Sequence, residues 1–132
     1  VIVDSSALVA IVAVEPDARR YIEALFMSPG SVMSAATYLE SSIVVDRSHD
    51  PAAAREFDTL LRDTGIEVVA VTPEQARIAR EAYRDFGKGS GHPAGLNFGD
   101  CFAYALAKDR NEALLYKGDD FVHTDIRSAL ET

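Results

Sequence analysis

The sequence predicts an α/β protein: a three-layer α/β/α sandwich around a central, mainly parallel sheet. Three observations predict it. Four short runs rich in branched apolar residues, at 1–3, 31–35, 66–71 and 113–116, are separated by stretches of helical periodicity. The first run, Val1-Ile2-Val3, lacks polar alternation, as expected of a strand covered on both faces. The length of 132 residues, 48% hydrophobic and 26% charged, suits one domain over residues 1–132 with a substantial core.

The elements follow in order. Asp4 ends the first strand, and SSALVAIVAV, residues 5–14, reads as a short buried helix. Glu15-Pro16-Asp17 starts a second helix, to about Met27, with Pro16 at a tolerated early position. Ser28-Pro29-Gly30 turns the chain into the second strand, SVMSA. A helix over about 36–48 carries Glu40 beside Ala36, Ile43 and Val44, a costly setting for a carboxylate unless it is paired or binds a metal. Asp50-Pro51 opens a helix to about Thr64, with Phe57, Leu60 and Leu61 inward and Gly65 as its terminator. IEVVAV, 66–71, is the third strand. Thr72-Pro73-Glu74-Gln75 then has the hydroxyl, proline and glutamine of a helix start, and that helix stops at Gly87. GKGSGHPAG, 87–95, is a connector. In GLNFGDCFAYALA, 95–107, Asn97 is the predicted N-cap of a helix. Its apolar face is Phe98, Phe102 and Ala105 or Leu106, with Asp100 in the first turn, off that face. ALLY, 113–116, is the fourth strand. Phe121 is expected to anchor the following turn in the core, and the tail to Thr132 to add a small edge strand.

Composition narrows the function. A net charge of −8 makes a poor non-specific nucleic-acid binder, so such a role requires a local basic patch or bound cations. The best basic stripe is Arg77, Arg80 and Arg84, one face of a helix that Glu74, Glu81 and Asp85 also balance. The longest apolar run, 7–14, is too short to span a bilayer, and the acidic start predicts no secretory signal. Val1 stands where Met would, so a residue is expected to precede it. A single cysteine, Cys101, excludes an internal disulfide and fits a reducing, cytoplasmic compartment; its place beside an apolar stripe predicts a core residue. The glycine-rich connector lacks P-loop spacing, although Lys88 and His92 could lie near a phosphate.

The isolated carboxylates carry the chemistry. In a parallel sheet with right-handed crossovers, all strand carboxyl ends share one edge, and ligands bind beyond it. Asp4 and the Asp119-Asp120 pair follow two such ends. Asp100 and Glu40 lie in helices beginning near that edge. Lys117 is the one sequence-close cation. Several like charges in one cleft require compensation, and a hard divalent cation, Mg²⁺ or Mn²⁺, supplies it through oxygen ligands. His49, His92 and His123 are too scattered for a zinc site. Such a pocket suits phosphodiester hydrolysis by an activated water. Asp4 and Asp100 are the expected direct ligands. Glu40 would hold a second ion or position the water, and Asp119 or Asp120 would complete the shell. Ser6 would orient a carboxylate or a phosphate.

VIVDSSALVA, Glu40 within SAATYLESS, GLNFGDCFAYALA and LLYKGDDF together resemble the four acidic blocks of the PIN-domain ribonucleases. More narrowly, they resemble the VapC toxins of bacterial toxin–antitoxin pairs, over essentially the whole chain. The resemblance implies a PIN-like sandwich, a Mg²⁺- or Mn²⁺-dependent endoribonuclease, a homodimer, and a VapB-type antitoxin that blocks the site. Asp4, Glu40 and Asp100 match the first three acidic positions. At the fourth, the outer acid of the family pattern aligns with Gly118, leaving Asp119 and Asp120; the place before Phe121 favours Asp120. Ser5 stands where the family usually has Thr. RNA would be drawn in by the ions and by Arg77, Arg80, Arg84, Lys88 and Lys117. Two other classes remain open: a receiver-like phosphorelay domain, for which Thr72-Pro73 replaces the acid needed after the middle strand, and a non-catalytic interaction module stabilised by a cation.

Overall fold

The computed structural model describes residues 1–130. In chain order it contains β1 (Ile2–Val3), α1 (Ser5–Val12), α2 (Ala18–Phe26), β2 (Val32–Ser34), α3 (Ala35–Asp46) and α4 (Pro51–Thr64). There follow β3 (Glu67–Val69), α5 (Pro73–Phe86), α6 (Phe98–Arg110) and β4 (Leu114–Leu115). The sheet order is β3-β2-β1-β4, and every pairing is parallel. Ile2 lies opposite both Val32 and Leu114, and Val3 opposite Leu115.

Alternation along these short strands builds the two cores. Ile2, Val32 and Leu114 join α5 and α6 through Ala79, Ala82, Tyr104 and Leu106. Val3, Met33 and Leu115 point the other way, to Leu8, Tyr21, Leu25 and Phe57 of α1, α2 and α4. Strand residues are therefore apolar at consecutive positions because each faces a helical layer. This is the three-layer architecture that the periodicity predicts.

The boundaries differ where local chemistry wins. α1 stops at Val12, two residues early, and Val14 takes a left-handed φ of 53°. Asp17 is the N-cap of α2, so Pro16 lies ahead of the helix and not inside it. β3 is shorter than IEVVAV and forms the sheet edge, with Glu67 and Val68 exposed. α6 is capped by Asn97, as predicted, but runs on to Arg110. The tail makes a parallel bridge from Ser128 to Leu114 on the outer side of β4, less than a strand; residues 131 and 132 lie outside the described residues.

Two helical faces differ from the expected ones. On α3, Ile43 and Val44 beside Glu40 are exposed, while Thr37, Ser41 and Val45 are buried. Ser41 can be buried because its hydroxyl donates to the Thr37 carbonyl at 2.8 Å. On α6, residues 103–107 are buried on all sides, so periodicity had no single face to report. Phe98 is 77% exposed, outside the core. Phe121, in contrast, is fully buried as expected.

Candidate active site

Asp4 follows β1 and is the N-cap of α1. Its Oδ2 accepts the Ser6 amide at 3.0 Å and the Ser6 hydroxyl at 2.7 Å. The same Ser6 Oγ accepts the Lys117 backbone N–H at 2.9 Å, just past β4. One hydroxyl thus ties the carboxyl ends of two neighbouring strands. Asp4 is 2% exposed, and its Oδ1 is buried without a hydrogen-bond partner. Burial pushes its pKa up to about 6; the Ser6 hydrogen bonds pull down less strongly, and the charge of Glu40 pushes up again.

Glu40 projects from the second turn of α3. Its Oε1 accepts the Ser5 hydroxyl at 2.8 Å. Its Oε2 sits where a side chain at Gly99 of α6 would be: a Cβ there would lie 1.7 Å away. Asp100 is the third residue of α6, in a reciprocal capping box. The Asp100 amide donates to Asn97 Oδ1 at 2.8 Å, and the Asn97 amide donates to Asp100 Oδ2 at 3.0 Å. Asp100 is 7% exposed. Burial raises its pKa to about 7 against the Asn97 hydrogen bond, and the charges of Asp4 and Asp120 and a hydrogen bond with Asp120 raise it further.

These interactions join four acids in series: Glu40 acts on Asp4, Asp4 on Asp100, and Asp120 on Asp100. Asp119 is exposed, and among the described residues its side chain forms no hydrogen bond or ion pair. The donors are all carboxylate oxygens, one of them buried and unpartnered, which is the chemistry a hard divalent cation takes. Among the described residues, no group of three or more acidic, histidine or cysteine side chains is already arranged to hold an ion.

With this geometry in hand, comparison with known proteins decides the family. The PIN-domain family profile matches residues 1–127. Ribonuclease VapC42 of Mycobacterium tuberculosis is 55% identical over 128 residues, covering 97% of this chain and 98% of that protein. Ribonuclease VapC28 of the same organism is 54% identical over 130 residues, covering 98% of each. This chain belongs to the PIN-domain family, among the VapC toxins. A toxin–antitoxin complex from Klebsiella pneumoniae shares the fold, with a TM-score of 0.72 at 16% identity over 99% of this chain and 98% of that one.

The remaining candidate residues of this PIN domain divide. Lys117, expected to neutralise the acids or hold RNA, instead gives its ammonium to Glu15 and to Asp17, the latter at 2.9 Å. Those hydrogen bonds raise the Lys117 pKa and lower that of Asp17. The reason is the α1–α2 loop, which brings two carboxylates to the residue just past β4. Arg77 pairs with Glu74 at 3.2 Å and Arg84 with Asp85 at 3.4 Å, both exposed. Arg80 has no carboxylate partner among the described residues. With Arg84, Tyr83, Phe98, Cys101 and Phe102 it lines a pocket of about 520 Å³ between α5 and α6. His92 turns to Phe86 and accepts the Ala94 amide at 3.1 Å; Lys88 is exposed, its carbonyl accepting Tyr83 Oη–H at 3.2 Å. Burial, and then the charge of Asp100, push the Cys101 thiol up to about 11, far from a thiolate nucleophile. No helix of the described residues is long and apolar enough to cross a membrane.

Sequence reasoning passed over Gly99 and over Ser5 as the partner of Glu40. A glycine inside a helical run was the available signal, because it costs helix stability and so has to serve some other purpose.

Proposed function

We propose that this VapC-family protein is the toxin of a toxin–antitoxin pair, and that it hydrolyses RNA phosphodiester bonds with the help of Mg²⁺ or Mn²⁺. The observation that carries the reading is the series of four acids with a buried, unpartnered Asp4 oxygen at its centre. Asp4 and Asp100 would hold the cation, with Asp120 the fourth acid. When bound, the cation supplies a water of lowered pKa and offsets charge on the phosphate. The protein's own residues do the rest. Ser6 holds one Asp4 oxygen through its amide and hydroxyl, which leaves the other, unpartnered, for the ion. Asn97 does the same for one oxygen of Asp100. Ser5 fixes the Glu40 carboxylate, which can orient the attacking water and take its proton.

Arg80 and Arg84, beside the exposed Phe98, offer RNA a cationic and aromatic surface next to the site. Exposed Leu39, Ile43 and Val44 on α3 offer a homodimer an apolar face, and a groove of about 620 Å³ between Ile11, Ile22, Phe26 and Leu60 offers one to an antitoxin segment. A receiver-like role loses ground, because β3 is an edge strand with no carboxylate directly after it. The test is RNA cleavage by the purified chain with Mg²⁺, with EDTA, and with Asp100→Asn. Full cleavage by Asp100→Asn, or in EDTA, would overturn the reading.

A further inference from the structure

We infer that Gly99 is a positioning residue, whose missing side chain is the space that holds the Glu40 carboxylate against the first turn of α6. The inference rests on the ribonuclease reading above and deepens it. Gly99 has no conformational need to be glycine, since it is absent from the positive-φ residues and lies within the helical stretch Phe98–Arg110. Alanine there would favour the helix by up to about 1 kcal/mol. What glycine permits is close approach. A Cβ would lie 1.7 Å from Glu40 Oε2, 2.5 Å from its Cδ and 3.0 Å from Oε1.

All three distances are to one carboxylate, the flexible end of a side chain. The fold can absorb the intrusion by swinging that carboxylate away; the site cannot. To reach ordinary contact the carboxylate must retreat by more than an ångström, and the 2.8 Å bond from Ser5 would then be lost. Glu40 is thus located by three helices at once: its own α3, the hydroxyl of Ser5 on α1, and the bare backbone of α6 one residue before Asp100. Gly99 is the residue before Asp100, so the backbone that Glu40 packs against belongs to the same first turn as the Asn97–Asp100 capping box.

The experiment compares Gly99→Ala, Glu40→Asp and the double variant. The readouts are kcat and KM for RNA cleavage, the melting midpoint of the metal-free protein, and a crystal structure of Gly99→Ala. Gly99→Ala should melt at or above the parent temperature, keep KM within about twofold, and lose kcat by on the order of 10²-fold, the effect of an ångström-scale misplacement. Its structure should show the Glu40 carboxylate displaced and the Ser5 hydrogen bond broken. In the Glu40→Asp background the shortened side chain withdraws from the contested space, so adding Gly99→Ala should cost less than about threefold. Parent-like kcat in Gly99→Ala, an equal loss in both backgrounds, or an unmoved Glu40 would overturn the inference. Asp100→Asn separates this from failure of the underlying reading. If it is inactive while Gly99→Ala is unaffected, the positioning role alone falls; if it cleaves fully, the ribonuclease reading falls.

Discussion

Raising the pH of the metal-free protein from about 5 to about 8 is expected to destabilise it, a direction opposite to ordinary acid denaturation. Asp4 titrates near 6 and Asp100 near 7 in the fold, against 3.8 when exposed. Between about pH 4 and pH 7 the folded state therefore binds more protons than the unfolded state, and stability falls as pH rises. Below that window both states are protonated and the advantage of the neutral acids is complete; above it, the repulsion and desolvation of the charged acids are complete. At about 1.4 kcal/mol per pKa unit, the whole shift of Asp4 corresponds to about 3 kcal/mol, of which only the part above pH 5, roughly one unit or between 1 and 2 kcal/mol, is lost over this interval. Asp100 adds less than its own shift, because part of it is repulsion from Asp4 already counted. Asp17 is held low by Lys117, and at Asp125 the hydrogen bonds from Lys108 and Tyr104 outweigh burial, so both titrate below the window. For 132 residues, the Asp4 contribution over this interval is about 5 °C of melting temperature, to which Asp100 adds. The assay is thermal unfolding in EDTA across pH, repeated with Asp100→Asn, which should flatten the slope. Added Mg²⁺ should restore stability at pH 8 and have little effect at pH 5, where protons occupy the acids. A midpoint that is level, or that rises, from pH 5 to pH 8 in EDTA would refute the reasoning.

Three further outcomes follow from the same contacts. Ser6→Ala removes two hydrogen bonds at once, since its hydroxyl both donates to Asp4 and accepts from the Lys117 amide; urea unfolding should register a loss of about 2–3 kcal/mol, and cleavage should fall with it. Asp120→Asn should reduce cleavage by more than tenfold while Asp119→Asn stays near the parent, a comparison of initial rates that would reverse if Asp119 were the fourth acid. Lys117→Met should leave cleavage within about threefold, because its ammonium is held by Glu15 and Asp17; a tenfold rise in KM for RNA would return Lys117 to the substrate surface.

The fold was legible because each of its determinants is local. Val1-Ile2-Val3 reads as a strand buried on both sides, and Asn97 with Asp100 reads as a helix start, from a few neighbours each. The acids of the candidate site stood out for a related reason. Asp4 and Asp100 are isolated in apolar surroundings, where a carboxylate stands out. What was not legible depends on which layer covers which face. Ile43 and Val44 look like core on a helical wheel, yet α3 buries Thr37 and Ser41 instead. Phe98 looks like the start of an apolar face, yet α6 is enclosed over residues 103–107 and leaves Phe98 itself exposed. Lys117 lies beside the acids in sequence but is captured across about a hundred residues by the α1–α2 loop. The role of Gly99 depends on a contact between α3 and α6 that no local pattern encodes.

Capping and catalysis are not rival explanations of Asp4 and Asp100, since each uses different oxygens. As a cap, each carboxylate needs one oxygen for the backbone of its own helix, and each has that: Oδ2 of Asp4 on the Ser6 amide and Oδ2 of Asp100 on the Asn97 amide. An exposed helix start would do as well, and its second oxygen would be hydrated. Here β1 and β4 are neighbours, and Ser6 binds their carboxyl ends together, so α1 and α6 begin within reach of each other's charge. The second oxygen of Asp4 is then buried without a partner, and both acids resist ionisation. Capping accounts for none of that strain, because Asn or Ser would cap without adding charge. A cation in the cleft would relieve the strain, satisfying the orphaned oxygen and removing the repulsion in one step. The capping oxygens would meanwhile keep each carboxylate from turning away when the ion leaves.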